Sequence, residues 1–418
     1  MKTWHARWAL TEDGWMSSAN VMVGPDGCVA SIGSGAAPAA ATAVDLLLPG
    51  MPDAHCHAFQ RRIAGRTERA GGAGNDSFWT WRERMYQAVD ALDATALRDC
   101  ATALYRELRD RGYTSVAEFH YVHRLGGSSP LETSLALVEA ARTAGVRLLL
   151  LPVLYRRAGL DGAALAPRQQ PFGLALDEYG RLLQALAAER QRSAHLAVGI
   201  APHSLRAVSA QELREALALR DDILPGCPVH IHVSEQQAEV AAAREHLGTT
   251  PIAWLCDQAP VDGAWVLVHA THATAAELRL VREREAVVCV CPTTEANLGD
   301  GAFDIEGWWQ AGGALAIGSD SNVGIDPAEE LRWLEYQARL RLMRRSVLVT
   351  EESPHPGTSL WRRAVAGGRR AFGLAAQGLA VGAPAELVEL RAADPDLTPD
   401  EAVDDLLFAG RATALRPL

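Results

Sequence analysis

Eight short apolar runs, spread between residues 46 and 321, constrain this chain more than any other feature. They read LLLPGMPDAHCH, TSVAEFHYVH, VRLLLLPVLY, LAVGIAPHS, PVHIHVSE, AWVLVHATH, AVVCVCPTT and ALAIGSDS. Runs this apolar and this short suit strands buried on both faces, and the stretches between them are long enough for crossover helices. Eight such β-α units predict a closed parallel (β/α)8 barrel of the TIM type. In nearly every run the His, Glu, Asp, Ser and Thr residues come last, after the apolar part. A barrel of this kind carries its active site there, at the C-terminal face of the strands.

The flanks differ. Up to about residue 48 the chain shows β-type runs (NVMVG, CVASIG) broken by Gly-Pro-Asp-Gly, and from about 378 the segment GLAVGAPAELVELRAADPDL returns to short β-like runs and turns. The expected organisation is a barrel over 49–377 and a small discontinuous β domain made of 1–48 and 378–418. The Gly-rich stretch RTERAGGAGNDS, residues 66–77, follows the first barrel strand and is expected to cover the pocket.

Composition removes several chemistries. Lys2 is the only lysine among 40 basic residues, which excludes a P-loop lysine, an internal Schiff base and a carbamylated lysine bridging two metals. Cationic work falls to arginine, whose planar fork suits carboxylates. A net charge of −11 offers no basic field for nucleic acid or anionic membrane, so a small-molecule substrate is expected. Seven cysteines without a CxxC pair argue against a disulfide framework. No signal-peptide h-region and no run of 18 apolar residues is visible, and a cytoplasmic location is expected.

The first barrel run closes on His55-Cys56-His57. Side chains two apart on a strand share a face, so both imidazoles enter the barrel mouth while Cys56 turns away. Taken alone, such a pair is as readily two buried structural histidines. A second pair, His230-Ile231-His232, ends the fifth run, and Asp320 lies in GSDS at the end of the eighth. His232 is nearer the strand end and is read as the ligand; His230, one layer deeper, is read as a hydrogen-bonded core residue. His55, His57, His232 and Asp320 then form an N/O site for one divalent first-row metal, zinc foremost. Glu235 is the candidate proton shuttle, although a plain ion pair is the bland alternative. Asp320 serves as ligand and first proton acceptor. His269, closing VLVHATH, would polarise the reacting group or hold it in place, and His272 beyond it is read as a helix-start residue.

These positions on strands one, five, six and eight resemble the amidohydrolase superfamily. Members with two metals commonly use a carbamylated lysine at the end of strand four; here that end is IAPHSLR, so one metal is implied. The segments LPGMPDAHCHAFQR, NDSFWTWRERMY, AEFHYVH, LPVLY, HSLRAV, HIHVSEQ, LVHATH, TTEANLGDG, IGSDSNV and EELRWLEY, collinear from about 46 to 410, further resemble the formimidoylglutamate deiminases (N-formimino-L-glutamate iminohydrolases). The resemblance implies zinc-dependent hydrolysis of N-formimino-L-glutamate to N-formyl-L-glutamate and ammonia in histidine degradation. It also makes Gln60, Arg82, Tyr121, His203 and Arg206 the substrate-binding set. The residues point the same way: a dicarboxylate amidine needs cations, and Arg82 and Arg206 lie in loops that reach the barrel mouth. Arg82 could equally stack on Trp79 or Trp81. One alternative is another mononuclear deaminase acting on a guanidine, purine or pterin ring, expected to show an aromatic wall rather than two arginines. The other is a metal-free, non-catalytic interaction module. Thr293, Thr294, Glu295 and Asn297 match the family in a lid or loop-fixing role, whereas His120, His123 and Glu118 are read as supporting residues. A homodimer is a superfamily expectation. The family pattern continues past the LLFAG segment into further strands, so with Gly410–Leu418 as its last residues the small β domain is expected to lack its final strands.

Overall fold

The computed structural model describes residues 1–68, 78–376, 378–410 and 415–418. The N-terminal strands β1 (Lys2–Thr11), β2 (Gly14–Val23), β3 (Val29–Ser34) and β4 (Thr42–Pro49) precede the barrel strands. Those are β5 (Met51–Cys56), β6 (Tyr113–His120), β7 (Arg147–Leu154), β8 (Leu196–Val198), β9 (Ala201–Pro202), β10 (Val229–Val233), β11 (Trp265–His269), β12 (Val287–Val290) and β13 (Ala314–Ile317). Two C-terminal strands follow, β14 (Leu387–Leu390) and β15 (Leu415–Pro417).

Strands β5 to β8 pair in parallel in sequence order, and so do β10 to β13. Two seams close the ring: parallel bridges Ile200↔Val229 and Ser204↔His232 join the fourth unit to the fifth, and Cys56↔Asp320 joins the first to the eighth. The eight apolar runs are therefore the eight staves of the barrel. The fourth run is interrupted: β8 ends before Gly199 and β9 resumes at Ala201. A Cβ at Gly199 would stand 2.7 Å from the Pro228 carbonyl oxygen, so a side chain there would push the fourth and fifth staves apart. Every residue of β5, β10, β11 and β12 is buried, as continuous apolar runs require.

Local signals set where the crossover helices begin. Ser129 with Glu132, Ser209 with Glu212 and Thr274 with Glu277 form capping boxes at the heads of Pro130–Ala144, Ala210–Ile223 and Ala275–Glu283. The helix Pro356–Ala371 lies against β5 and β13, and its glycines permit the contact: a Cβ on Gly367 would overlap the Leu315 carbonyl.

The chain termini share one six-stranded sheet, in the order β15-β14-β4-β1-β2-β3, with a hydrophobic cluster of its own that draws Leu379 and Leu387 in beside Trp4, Val21 and Leu47. Within the C-terminal segment, residues Pro399–Phe408 form a helix, started by Pro399 and a Thr398–Glu401 capping box, that packs on the helices Pro327–Leu342 and Pro356–Ala371. After it, Leu415–Pro417 adds an antiparallel strand to the sheet beside β14. All seven cysteines are free thiols, and no described helix is long and apolar enough to cross a membrane.

Candidate metal centre and active site

The ends of β5 and β10 bring three ring nitrogens together. His55 Nε2 lies 3.1 Å from His57 Nε2 and 3.0 Å from His232 Nε2. Asp320 Oδ1 stands 3.3 Å from His57 Nε2 and 3.5 Å from His55 Nε2. Cys56 turns the other way, its thiol 3.5 Å from Asn322 Oδ1. The far nitrogens fix two tautomers: His57 Nδ1–H donates to the Phe119 carbonyl at 3.0 Å and His232 Nδ1–H to that of His203 at 3.2 Å. Their Nε2 atoms consequently present lone pairs to the common centre. Burial, reinforced by the neighbouring His55, pushes the His57 imidazole down to about 3, and burial holds His55 and His232 well below the usual histidine range. Three neutral imidazoles with converging lone pairs and an adjacent carboxylate are a donor set that fits a divalent metal cofactor.

Backbone conformation aims these groups. His269, Ala270, Asp320, Asn322 and Ser234 all sit in the left-handed region, at φ of 72°, 51°, 47°, 62° and 55°. Each such turn costs a non-glycine residue about 1–3 kcal/mol and persists where surrounding bonds enforce it. At the β5–β13 seam, Asp320 N–H donates to the His55 carbonyl and His57 N–H to that of Asp320, each at 2.9 Å. Asn322 Nδ2 donates to the His57 and Asp320 carbonyls at 3.0 and 2.9 Å. Below them, Asp53 accepts from Ser319 N–H at 2.9 Å and Ser319 Oγ–H at 2.6 Å. Burial pushes the Asp53 carboxyl up to about 7.

Opposite this seam lies Glu235. Its Oε1 is 3.9 Å from His269 Nε2, and its Oε2 is 3.8 Å from Arg206. The same His269 Nε2 is 3.9 Å from Asp320 Oδ2, while Nδ1–H donates to Glu295 at 3.2 Å. Burial would lower the His269 pKa, but Glu235, Glu295 and Asp320 outweigh it and hold the ring well above the ordinary range. Glu239, buried in the first turn of the helix Gln237–Leu247, accepts from the backbone N–H groups of Ser234 and Glu235, each at 3.1 Å.

A cavity opens over these groups. His57, His232, Asp320, Glu235 and His269 line it, and so do Gln60, Arg82, Tyr121, His203 and Arg206. Gln60 donates to Tyr121 Oη at 2.8 Å while its buried Oε1 has no hydrogen-bond partner among the described residues. His203 packs edge-on against Tyr155, ring centroids 4.5 Å apart. Arg82 lies over the Tyr86 ring, one helical turn on, its guanidinium carbon 5.5 Å from the ring centroid. The covering role expected of residues 66–77 falls largely on 69–77, outside the described residues.

Other expected residues stay behind the wall. His230 donates to the Ala371 carbonyl at 3.0 Å and His123 to that of Val153 at 2.8 Å, while His120 meets Thr133 Oγ1 at 3.2 Å. Glu118 accepts from Ala58 N–H and Tyr105 Oη–H, at 3.0 and 2.8 Å. Thr293 bonds to Glu330 and Asn297 to Glu68, whereas Thr294, bonded to Ser321, does line the cavity. His272, ahead of the helix Ala275–Glu283, donates to the Asp300 carbonyl at 2.8 Å.

Sequence reasoning missed Trp81, Met85, Tyr86, Tyr155 and Phe172, which line the cavity, and Glu239, which holds Glu235. Tyr155 was findable, since it ends the third run at the C-terminal face. The expected contrast between an aromatic wall and two arginines also fails as a choice, because the cavity has both.

The amidohydrolase family model matches residues 46–413. A formimidoylglutamate deiminase of Pseudomonas aeruginosa is 44% identical over 410 residues, covering 96% of this chain and 89% of that protein. A 5-methylthioadenosine/S-adenosylhomocysteine deaminase of Halobacterium salinarum is 27% identical over 97% of this chain and 88% of its own. The crystal structure of an amidohydrolase from Brucella melitensis superposes with a TM-score of 0.94 at 37% identity, covering 100% of this chain and 93% of that one. With a barrel, a donor set and a sequence that agree along nearly its whole length, this chain belongs to the amidohydrolase family and is a hydrolase of carbon–nitrogen bonds.

Proposed function

We propose that the protein hydrolyses N-formimino-L-glutamate to N-formyl-L-glutamate and ammonia, a step of histidine degradation. The observation that carries this reading is that Arg82 and Arg206 line the same cavity as His57, His232, Asp320 and Glu235. A substrate with two carboxylates and one amidine needs guanidinium forks at one end and acid–base groups at the other, and it needs both within one small cavity. His55, His57, His232 and Asp320 would hold the metal, with zinc the best match for three imidazoles and one carboxylate. When bound, the ion supplies a Lewis acid that brings a water's pKa toward neutrality.

The chain's own residues do the rest. Asp320 takes the first proton from the attacking water. Glu235 carries a proton to the nitrogen that leaves as ammonia. His269, its Nδ1–H anchored on Glu295, directs Nε2 at the oxygen that adds to the formimino carbon and stabilises the charge developing there. Gln60, Tyr121, His203, Arg82 and Arg206 bind and orient the substrate. Trp81, Tyr86, Tyr155 and Phe172 exclude water from the cavity, which strengthens the ionic contacts inside it.

The same aromatic lining favours a second reading, a deaminase acting on a purine or related ring. Ammonia release by the metal-reconstituted protein from formiminoglutamate, against guanine and adenosine derivatives, separates the two. Arg82→Met and Arg206→Met should each raise KM for formiminoglutamate by roughly 10- to 100-fold while metal content stays the same. Unchanged kinetics in both variants would sink the dicarboxylate reading.

A further inference from the structure

A second set of donor atoms lies behind His269. The ring's Nε2 faces the cavity-lining Glu235 and Asp320, 3.9 Å from an oxygen of each, whereas Nδ1 stands 3.2 Å from Glu295 Oε1. Cys291 completes the group: one ligand atom each from His269, Cys291 and Glu295, all within 4.8 Å of one another. Two neighbouring strands supply them. His269 ends β11 at a φ of 72°, and Cys291 and Glu295 follow β12, where Cys291 N–H donates to Glu295 Oε1 at 2.9 Å. Cys289, two residues earlier and on the same face of the strand, is bonded to the Cys291 thiol. All four side chains are buried, and neither cysteine nor Glu295 lines the cavity.

This set differs in chemistry from the one around His55. An imidazole, a carboxylate and a thiol with a second thiol beside it suit a softer ion than three imidazoles and a carboxylate do. Charge favours a cation as well. Glu235, Glu295 and Asp320 surround His269 and keep it protonated, so the imidazolium is what offsets them; a divalent ion in place of the Nδ1 proton does the same with more charge. We infer that His269 Nδ1, Cys291 Sγ and the Glu295 carboxylate form a second, inhibitory site for a thiophilic divalent ion, zinc or cadmium. Binding forms one bond from the ion to each ligand atom and releases two protons, one from Nδ1 and one from the thiol, which burial and the neighbouring Cys289 otherwise hold protonated. Around a tetrahedral ion the ligand atoms stand about 3.3–3.8 Å apart, so the ion draws imidazole and thiol together and takes Nε2 out of its alignment with the cavity. Activity then falls as free metal rises, while the first ion stays in place. The inhibition rests on the role proposed above for His269; the binding itself does not.

The full chain, loaded with one zinc ion and then dialysed against rising Cd2+, tests this. A second equivalent should bind with a thiolate-to-cadmium absorption band, which the thiol-free first site cannot produce, and with proton release. Ammonia release should fall at least about tenfold, the cost of a misplaced catalytic group. Cys291→Ser should load the first ion and keep its turnover, yet lose the second equivalent, the band and the inhibition together. Cys28→Ser and Cys100→Ser, at half-buried thiols elsewhere, should behave as the wild type. Metal content that stops at one ion, a second equivalent without the band or without inhibition, or a Cys291→Ser variant as sensitive as the wild type overturns the inference. A wild type that releases no ammonia from formiminoglutamate would instead sink the substrate reading, and the ion count and the band in wild type and Cys291→Ser would still decide the second site.

Discussion

Glu239→Gln is the most revealing single change near the cavity, because Glu239 touches no substrate. Its carboxylate receives the N–H groups of Ser234 and Glu235 at 3.1 Å each, and Ser234 is held at φ of 55°. A glutamine oxygen can accept one of these donors, while its NH2 faces the other. One ionic hydrogen bond of about 1.5–3 kcal/mol disappears, against a left-handed strain of about 1–3 kcal/mol at Ser234. The turn then has little reason to stay, and Glu235 swings away from His269. A misplacement costing about 2 kcal/mol in the transition state lowers kcat roughly 30-fold. Steady-state ammonia release should show that fall with KM changed by less than about threefold and metal content unchanged. Ser234→Gly should recover part of kcat in the Glu239→Gln background, since glycine adopts this φ without a Cβ penalty. The glycine also forfeits no hydrogen bond, as the buried Ser234 Oγ has no partner among the described residues. A normal kcat in Glu239→Gln, or no gain from the second change, would refute the positioning role.

Three further outcomes are expected. Removing the metal by chelation should lower Tm, because an ion held at about a thousandfold over its Kd stabilises the fold by about 4 kcal/mol, and His55→Ala should abolish the difference between loaded and stripped protein. Burial pushes the Glu118 carboxyl up to about 7, against the lowering effect of its bonds to Ala58 and Tyr105, so the folded state favours the protonated form. Its contribution of about 3 kcal/mol is therefore complete below pH about 4.5, is lost as pH rises to about 7 and stays lost above; Glu118→Gln should flatten that slope in denaturant titrations. Gly367→Ala should cost several kcal/mol or prevent folding, because its Cβ would overlap the Leu315 backbone, whereas Thr398→Ala should cost only about 1 kcal/mol through the lost helix cap.

What the sequence determined by itself was whatever repeats locally. Eight apolar runs with polar ends are legible as barrel staves because a doubly buried strand excludes polar side chains until it leaves the core. His55 and His57 could be paired from their spacing alone, since alternate residues on a strand must share a face. The absence of any lysine beyond Lys2 limits the cationic chemistry to arginine. The helix Pro399–Phe408 was also within reach, through Pro399 and the Thr398–Glu401 box, but was hidden by the β-like runs just before it.

Only the tertiary structure decided how far these groups stand from one another. His55 and His232 are 177 residues apart and Asp320 lies 88 residues beyond His232, and no local spacing places their ligand atoms within 3.0 to 3.5 Å. That proximity comes from closure of the ring at Cys56↔Asp320 and from left-handed turns at His269 and Asp320, which are enforced by partners remote in sequence. Glu239 was unreadable for the same reason: its role depends on two backbone N–H groups exposed by a turn that a sequence does not display. The aromatic lining reached the cavity from three separate segments, around Trp81, Tyr155 and Phe172, each an ordinary core residue by its local pattern. Periodicity reports which side of an element is buried; what it is buried against is settled only when the elements pack.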